Sequence, residues 1–217
     1  MRERSLFATD MISDEEKRWL VVGLASRKVA ASLCNTIQKG MALHYANLDT
    51  HCKSLSPPCE LSTLTFGPAN KDATLQCLKF ENINGNGQLY GKVKKNYSYF
   101  VSSEVELAKL YLPNYLAKFL AFDESLDLSA ILRLLGCSKP APIFPSLSIQ
   151  MAADDVRDHC RNKWAHPNLS EWTEDFFNDC FSKLEGLMKS VGLPSIEEKS
   201  ALDQLSEWQT KGGIKNS

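Results

Sequence analysis

Ile149-Gln150-Met151-Ala152-Ala153-Asp154-Asp155-Val156-Arg157-Asp158-His159-Cys160-Arg161-Asn162-Lys163-Trp164-Ala165-His166-Pro167-Asn168 is the segment on which the architecture turns. Ile149, Ala153, Val156, Cys160 and Trp164 recur every three or four residues, the spacing that turns one side of an α-helix toward a core. Pro167 disfavours the α conformation in the residue before it, so this helix must stop near His166. Asn168 with Glu171 offers a cap for a second helix. Its stripe runs through Trp172, Phe176, Cys180, Leu184, Leu187 and Val191 and is closed by Gly192 and Pro194. The expectation is an antiparallel helical hairpin with a short joint at His166 to Asn168.

Toward the C-terminus, Leu202, Leu205 and Trp208 mark one more helix, followed by a terminal segment expected to fray. Upstream, Asp127 or Ser125 can cap a helix that points Leu128, Ile131, Leu132 and Leu135 inward and ends at Gly136. A proline-rich connector, 138–146, leads from it to Ile149. Ser102 or Ser103 starts a further helical region in which Val105, Ala108, Leu112 and Leu116 share a face, divided at Pro113 into two short helices. Near the N-terminus Ser13 and Glu16 make a capping box. The helix they open carries Trp19, Val22, Val29, Leu33, Ile37 and Met41 inward and extends to about Ala46, with Gly23 weakening it and Gly40 ending or bending it.

The segment 48–101 fits this pattern least. Pro57, Pro58, Gly67 and Pro68 argue for a connector. Thr74 to Phe80 reads as a short strand or a short helix, and Asn84-Gly85-Asn86-Gly87 is a turn signal that admits a small β-hairpin reaching Val101. The fold class is therefore mainly α, a helical bundle with a small hairpin insertion as an open element. A tail at 1–12 precedes a helical domain at 13–194, which carries the irregular insertion, and a C-terminal helix and tail follow at 195–217.

Composition narrows the function classes. The 25 basic and 26 acidic side chains give a net charge of -1, so no global field draws the chain to nucleic acid or to an anionic membrane. A polyanion must be met by a local patch. Uninterrupted apolar runs fall short of the roughly 18–20 residues that span a bilayer, and Met1-Arg2-Glu3-Arg4 leads into a polar segment rather than a secretory signal. The seven cysteines are odd in number and scattered, as in a reducing compartment, and a cytoplasmic chain is expected. His51-Cys52 with Cys59 lacks a fourth ligand and fits no zinc spacing, so neither metal nor cofactor is expected.

The residues that could carry chemistry cluster at the joint. Asn162 and His166 are four apart and His159 is seven from His166, so one helix face can hold all three. Arg161 is offset, but its long side chain can reach a phosphate held near His166. A histidine can take and return a proton near neutral pH, and an arginine can grip a phosphate with two donors while charge builds on it. Together they suit RNA cleavage by the ribose 2′-hydroxyl, which needs no metal. Arg161 and His166 at a helix end equally suit pairing with acids or with the helix dipole. Trp164 reads as a core aromatic. Lys92, Lys94, Lys95, Tyr97 and Tyr99 suit an RNA surface or a lysine-guarded edge strand.

The order of elements adds to this. Leu126 to Leu135, a proline-containing connector, and then Val156-Arg157-Asp158-His159-Cys160-Arg161-Asn162-Lys163-Trp164-Ala165-His166 resemble a eukaryotic subgroup of the HEPN domains, over residues 104–194. That family carries an Arg, usually a polar residue next, and a His four to six residues on; Arg161, Asn162 and His166 match its shortest interval. The resemblance implies a small helical bundle that often dimerises and joins two Arg/His motifs in one cleft for metal-independent RNA cleavage. Arg161, Asn162 and His166 are then the catalytic candidates, and Lys163 and His159 the substrate contacts. It equally implies the alternative of a non-catalytic interaction module, one domain of a larger regulatory or immune-type protein, with homodimer or other protein contacts in place of RNA and no membrane.

Overall fold

Ser13 opens the longest element as its sequence predicts. Its Oγ accepts from the Glu16 amide at 3.2 Å while its own amide donates to Glu16 Oε2 at 2.8 Å, the reciprocal pair that satisfies two orphan donors. The computed structural model describes residues 12–63, 72–76, 78, 100–137 and 143–212. In chain order the helices are α1 (Asp14–Ser54), α2 (Ala73–Gln76), α3 (Glu104–Leu110), α4 (Leu128–Leu135), α5 (Leu147–Asp155), α6 (Asn162–Ala165), α7 (Glu174–Val191) and α8 (Ser195–Gly212). Single 3-10 turns stand at Leu61–Thr63 and Leu169–Glu171, and a π turn, Val156–Arg161, joins α5 to α6. The chain is mainly helical, and among the described residues none is in a strand.

α1 is the centre of the bundle, packed by α3, α4, α7 and α8. Val22, Val29, Leu33, Ile37 and Met41 are buried along it and Trp19 packs half-buried on the core. By length and composition α1 could cross a bilayer, but this apolar stripe is spent on the other helices. The helix passes the expected end at Ala46 and continues to Ser54, claiming the first residues of the predicted connector. Gly40 does not end it: a Cβ there would lie 2.5 Å from Phe144 Cζ, so the missing side chain is what lets Phe144 reach the helix. Gly23 plays the same part for Trp164, whose Nε1 would be 2.5 Å from an added Cβ.

Other boundaries moved for identifiable reasons. Asp127, not Ser125, caps α4 by accepting from Ala130 N at 2.9 Å. Gly136 ends α4 at φ -82, without a left-handed turn; its use is the close approach of Asp154, whose Oδ1 would be 2.9 Å from a Cβ. Pro113 follows α3, which Ser103 caps through the Glu106 amide at 3.3 Å. Beyond it the chain makes turns rather than the expected second short helix. Asn168 and Glu171 do meet, at 3.1 Å, but they close a 3-10 turn. The helix itself starts at Glu174, capped by Thr173 Oγ1 from Phe176 N at 3.2 Å, so Trp172 is buried from the loop before it. Gly192, at φ 69, ends α7 in the left-handed conformation that glycine tolerates.

The hairpin is antiparallel, since Cys160 meets Cys180 and Asp155 meets Lys183. Of the segment 48–101, Ala73–Gln76 is helical, the short-helix alternative, and Val101 is buried. The Asn84 to Gly87 turn, Lys92, Lys94, Lys95, Tyr97 and Tyr99 lie outside the described residues, as do 138–142 of the proline-rich connector.

Candidate functional site

The helix of Ile149 does not run evenly into the motif. Asn162 donates its amide to Arg157 O, five residues back, so the backbone makes a π turn, which inserts a residue and re-aims the side chains beyond it. Ile149, Ala153, Val156 and Cys160 stay in the buried stripe. Trp164 does not: it is 37% exposed and turned to α1. There its ring stacks on Trp19 with centroids 5.9 Å apart and planes 18° from parallel. Each indole also donates to the other's carbonyl, Trp19 Nε1 to Trp164 O at 3.0 Å and Trp164 Nε1 to Trp19 O at 3.2 Å. Trp164 O is an orphan carbonyl of a helix end, and a side chain far away in sequence satisfies it. Arg18 adds a third tether, from Nη1 to Trp172 O at 3.1 Å.

The cations along this helix fall into two kinds. Arg157 is held by Asp154 at 2.7 Å and Asp158 at 3.0 Å, and Lys163 by Glu171 at 2.5 Å. Lys163 and then Asn168 keep the Glu171 carboxyl below its ordinary range. His159 sits 2.8 Å from an Asp155 carboxylate that Lys183 also engages at 3.0 Å. The two expected substrate contacts, Lys163 and His159, therefore already have acidic partners. Arg161 has none among the described residues. Its Nε donates to Ser129 Oγ at 2.6 Å and its Nη1 to Asn162 Oδ1 at 3.2 Å, both neutral acceptors. Asn162 thus contacts Arg161 itself.

His166 leaves the helix at φ -127, ψ 67, its amide bonded to Asn162 O at 3.2 Å. Its exposed ring has no hydrogen-bond or ion-pair partner among the described residues. Arg161 instead lines a groove of about 610 Å³ between α1 and the start of α4, with Leu20, Leu24, Leu126, Leu128 and Trp164 in its walls. His166 does not line this groove.

Cys160 and Cys52 are poor nucleophiles. Cys160 is buried, and the neighbouring Cys180 together with burial holds its thiol far above the ordinary value. Cys52 is pushed up to about 12 by burial, then by Cys59. His51 turns to Asp72 at 3.1 Å rather than to either thiol. Among the described residues no group of three or more His, Cys, Asp or Glu side chains is placed to hold a metal ion.

Ser129, which holds Arg161, and Trp19 and Gly23, which seat Trp164, are the neighbours whose contacts sequence reasoning missed. Ser129 had one signal, a short polar residue in the first turn of an otherwise leucine-rich helix. No family model matches the chain, and neither a curated protein nor a solved structure is significantly similar to it.

Proposed function

We propose that the chain is an RNA-acting module of the HEPN type, with Arg161 as the phosphate contact, Asn162 as its orienting partner and His166 as the proton carrier. One observation carries the reading. Arg161 is half-buried and positioned by a hydroxyl and an amide, while Arg157, Lys163 and His159 around it are neutralised by carboxylates. A guanidinium fixed by neutral groups keeps its charge for an external anion, and its remaining N–H donors match phosphate oxygens.

In the cleavage reaction a base removes the ribose 2′-hydroxyl proton and O2′ attacks the adjacent phosphorus. A 2′,3′-cyclic phosphate forms, and the departing 5′-oxygen takes a proton from an acid. Arg161 stabilises the anionic phosphorane, and His166 serves as base or acid. His166 is not among the residues lining the Arg161 groove, so in this reading a second copy supplies the second group and cleavage belongs to a homodimer. Exposed Leu20 and Leu24, at 44% and 47%, favour a second reading in which α1 meets a protein partner and the module binds without cutting.

Labelled single-stranded RNA incubated in EDTA with wild type, Arg161→Ala and His166→Ala tests both. Loss of cleavage in each variant, with at least tenfold weaker RNA binding in Arg161→Ala only, is the expected result; charged hydrogen bonds of about 1.5–3 kcal/mol set that scale. RNA binding by wild type without cleavage leaves the binding-module reading. Equal cleavage by all three proteins, or no RNA binding by wild type, rejects the site.

A further inference from the structure

We propose that the groove between α1 and α4 binds an aliphatic carboxylate, its chain lying along Leu20, Leu24, Leu126 and Leu128 and its head group on Arg161. The proposal goes beyond the RNA reading and does not rest on it. A volume of about 610 Å³ lies within the roughly 300–1,000 Å³ of small-molecule sites. Aliphatic and indole side chains make up most of the wall, which disfavours a bare ion or a sugar, whose polar groups would lose water without replacement.

The charged groups in the wall select the head group. Asp127 accepts from the Ala130 amide at 2.9 Å, so its charge is held at the positive end of α4. Glu124 faces Arg27 at 3.9 Å, and both are largely solvated, at 80% and 74% exposure. That leaves Arg161 as the cation on this groove with no ion-pair partner among the described residues. Ser129 takes its Nε–H and Asn162 one Nη1–H. Three N–H donors remain, one on Nη1 and two on Nη2, for a carboxylate to accept. One guanidinium matches one negative charge, whereas a dianionic phosphate monoester leaves a charge unbalanced against leucines.

Chain length and head-group charge each set a scale. Each buried CH₂ is worth about fourfold in affinity, so hexanoate, octanoate and decanoate form a graded series until the groove is full. A ligand with the same chain and a neutral head loses the guanidinium contact. An occupant of this kind also competes with RNA phosphate for Arg161.

The test is calorimetric titration of the full chain with hexanoate, octanoate, decanoate and, as the neutral control, 1-octanol. One site per chain, affinity rising by about an order of magnitude from each acid to the next, two CH₂ groups longer, until the groove is full, and octanoate at least tenfold tighter than octanol are expected. Arg161→Gln should bring octanoate down to the octanol level, and Leu24→Glu, at an exposed position, should weaken both. Absence of saturable binding, more than one ligand per chain, equal affinity for octanoate and octanol, or binding unchanged in Leu24→Glu overturns the proposal. The octanol comparison uses wild type alone, so it decides the matter even if Arg161→Gln does not fold.

Discussion

The two halves of α1 each use a glycine to seat an aromatic ring from a distant part of the chain, and they do so to different ends. Gly40 receives Phe144, buried and enclosed near the Tyr111 and His44 side of the bundle. Gly23 receives Trp164, which is a third exposed and borders the Arg161 groove. The added Cβ would meet its ring at 2.5 Å in both cases. What differs is the freedom of the ring to yield. A close-packed core transmits a misfit into lost stability, whereas a partly solvated ring can swing away and pass the misfit to the site it borders.

The largest effect expected from this contrast is on Gly40→Ala. Overpacking costs about 1–3 kcal/mol, and the roughly 1 kcal/mol gained by replacing glycine within a helix offsets only part of it. Chemical denaturation should show the loss with the slope unchanged. Stability equal to wild type would mean that Phe144 is as mobile as Trp164 and would erase the contrast. Trp19→Phe comes next: it retains an aromatic ring beside Trp164 but removes the indole bond to Trp164 O, for about 1 kcal/mol by the same measurement. An unchanged midpoint would make that bond dispensable.

A smaller effect concerns pH. His44 lies 2.7 Å from the Tyr111 hydroxyl, and burial lowers its pKa from the ordinary value. Above about pH 6.5 the histidine is neutral whether the chain is folded or unfolded. Below it the unfolded chain takes up a proton that the folded chain resists, so stability falls as pH drops from there toward the lowered folded value. His44→Gln should flatten that part of the stability profile; a profile identical to wild type would remove His44 as its source. The smallest stability change, within about 0.5 kcal/mol, is expected for Gly23→Ala, where helix propensity and a yielding ring nearly cancel. Its signature is a shift in tryptophan emission together with weakened binding at Arg161. A stability loss as large as that of Gly40→Ala would show that the two seats are alike.

Features set by neighbouring residues were legible in the sequence. The Ser13 and Glu16 box, the apolar stripe of α1, that of α7 from Phe176 onward and the Gly192 stop depend on contacts within a few residues and stand where the pattern puts them, and Asp127 is one of the two caps it allows. Gly40 was misread because an isolated glycine in a helix signals weakness until its packing partner is known, and Phe144 is about a hundred residues away. Asn168 and Glu171 have the capping-box spacing, yet Thr173 takes the cap because the 3-10 turn intervenes. The motif was legible as a cluster but not as a geometry. Arg161 depends on Ser129 from another helix, and the π turn that carries Trp164 off its stripe has no periodic signature.

The reciprocal indole pair has a consequence for inheritance. Trp19, Gly23 and Trp164 form one fitting: a ring, the gap that receives it and the second ring that bonds back. A descendant that fills the gap at position 23 has to shrink the side chain at position 164 in the same lineage. These three positions should therefore vary together among related chains even where the surrounding helix surface drifts, giving distant kin a mark that lies partly outside the Arg-to-His segment.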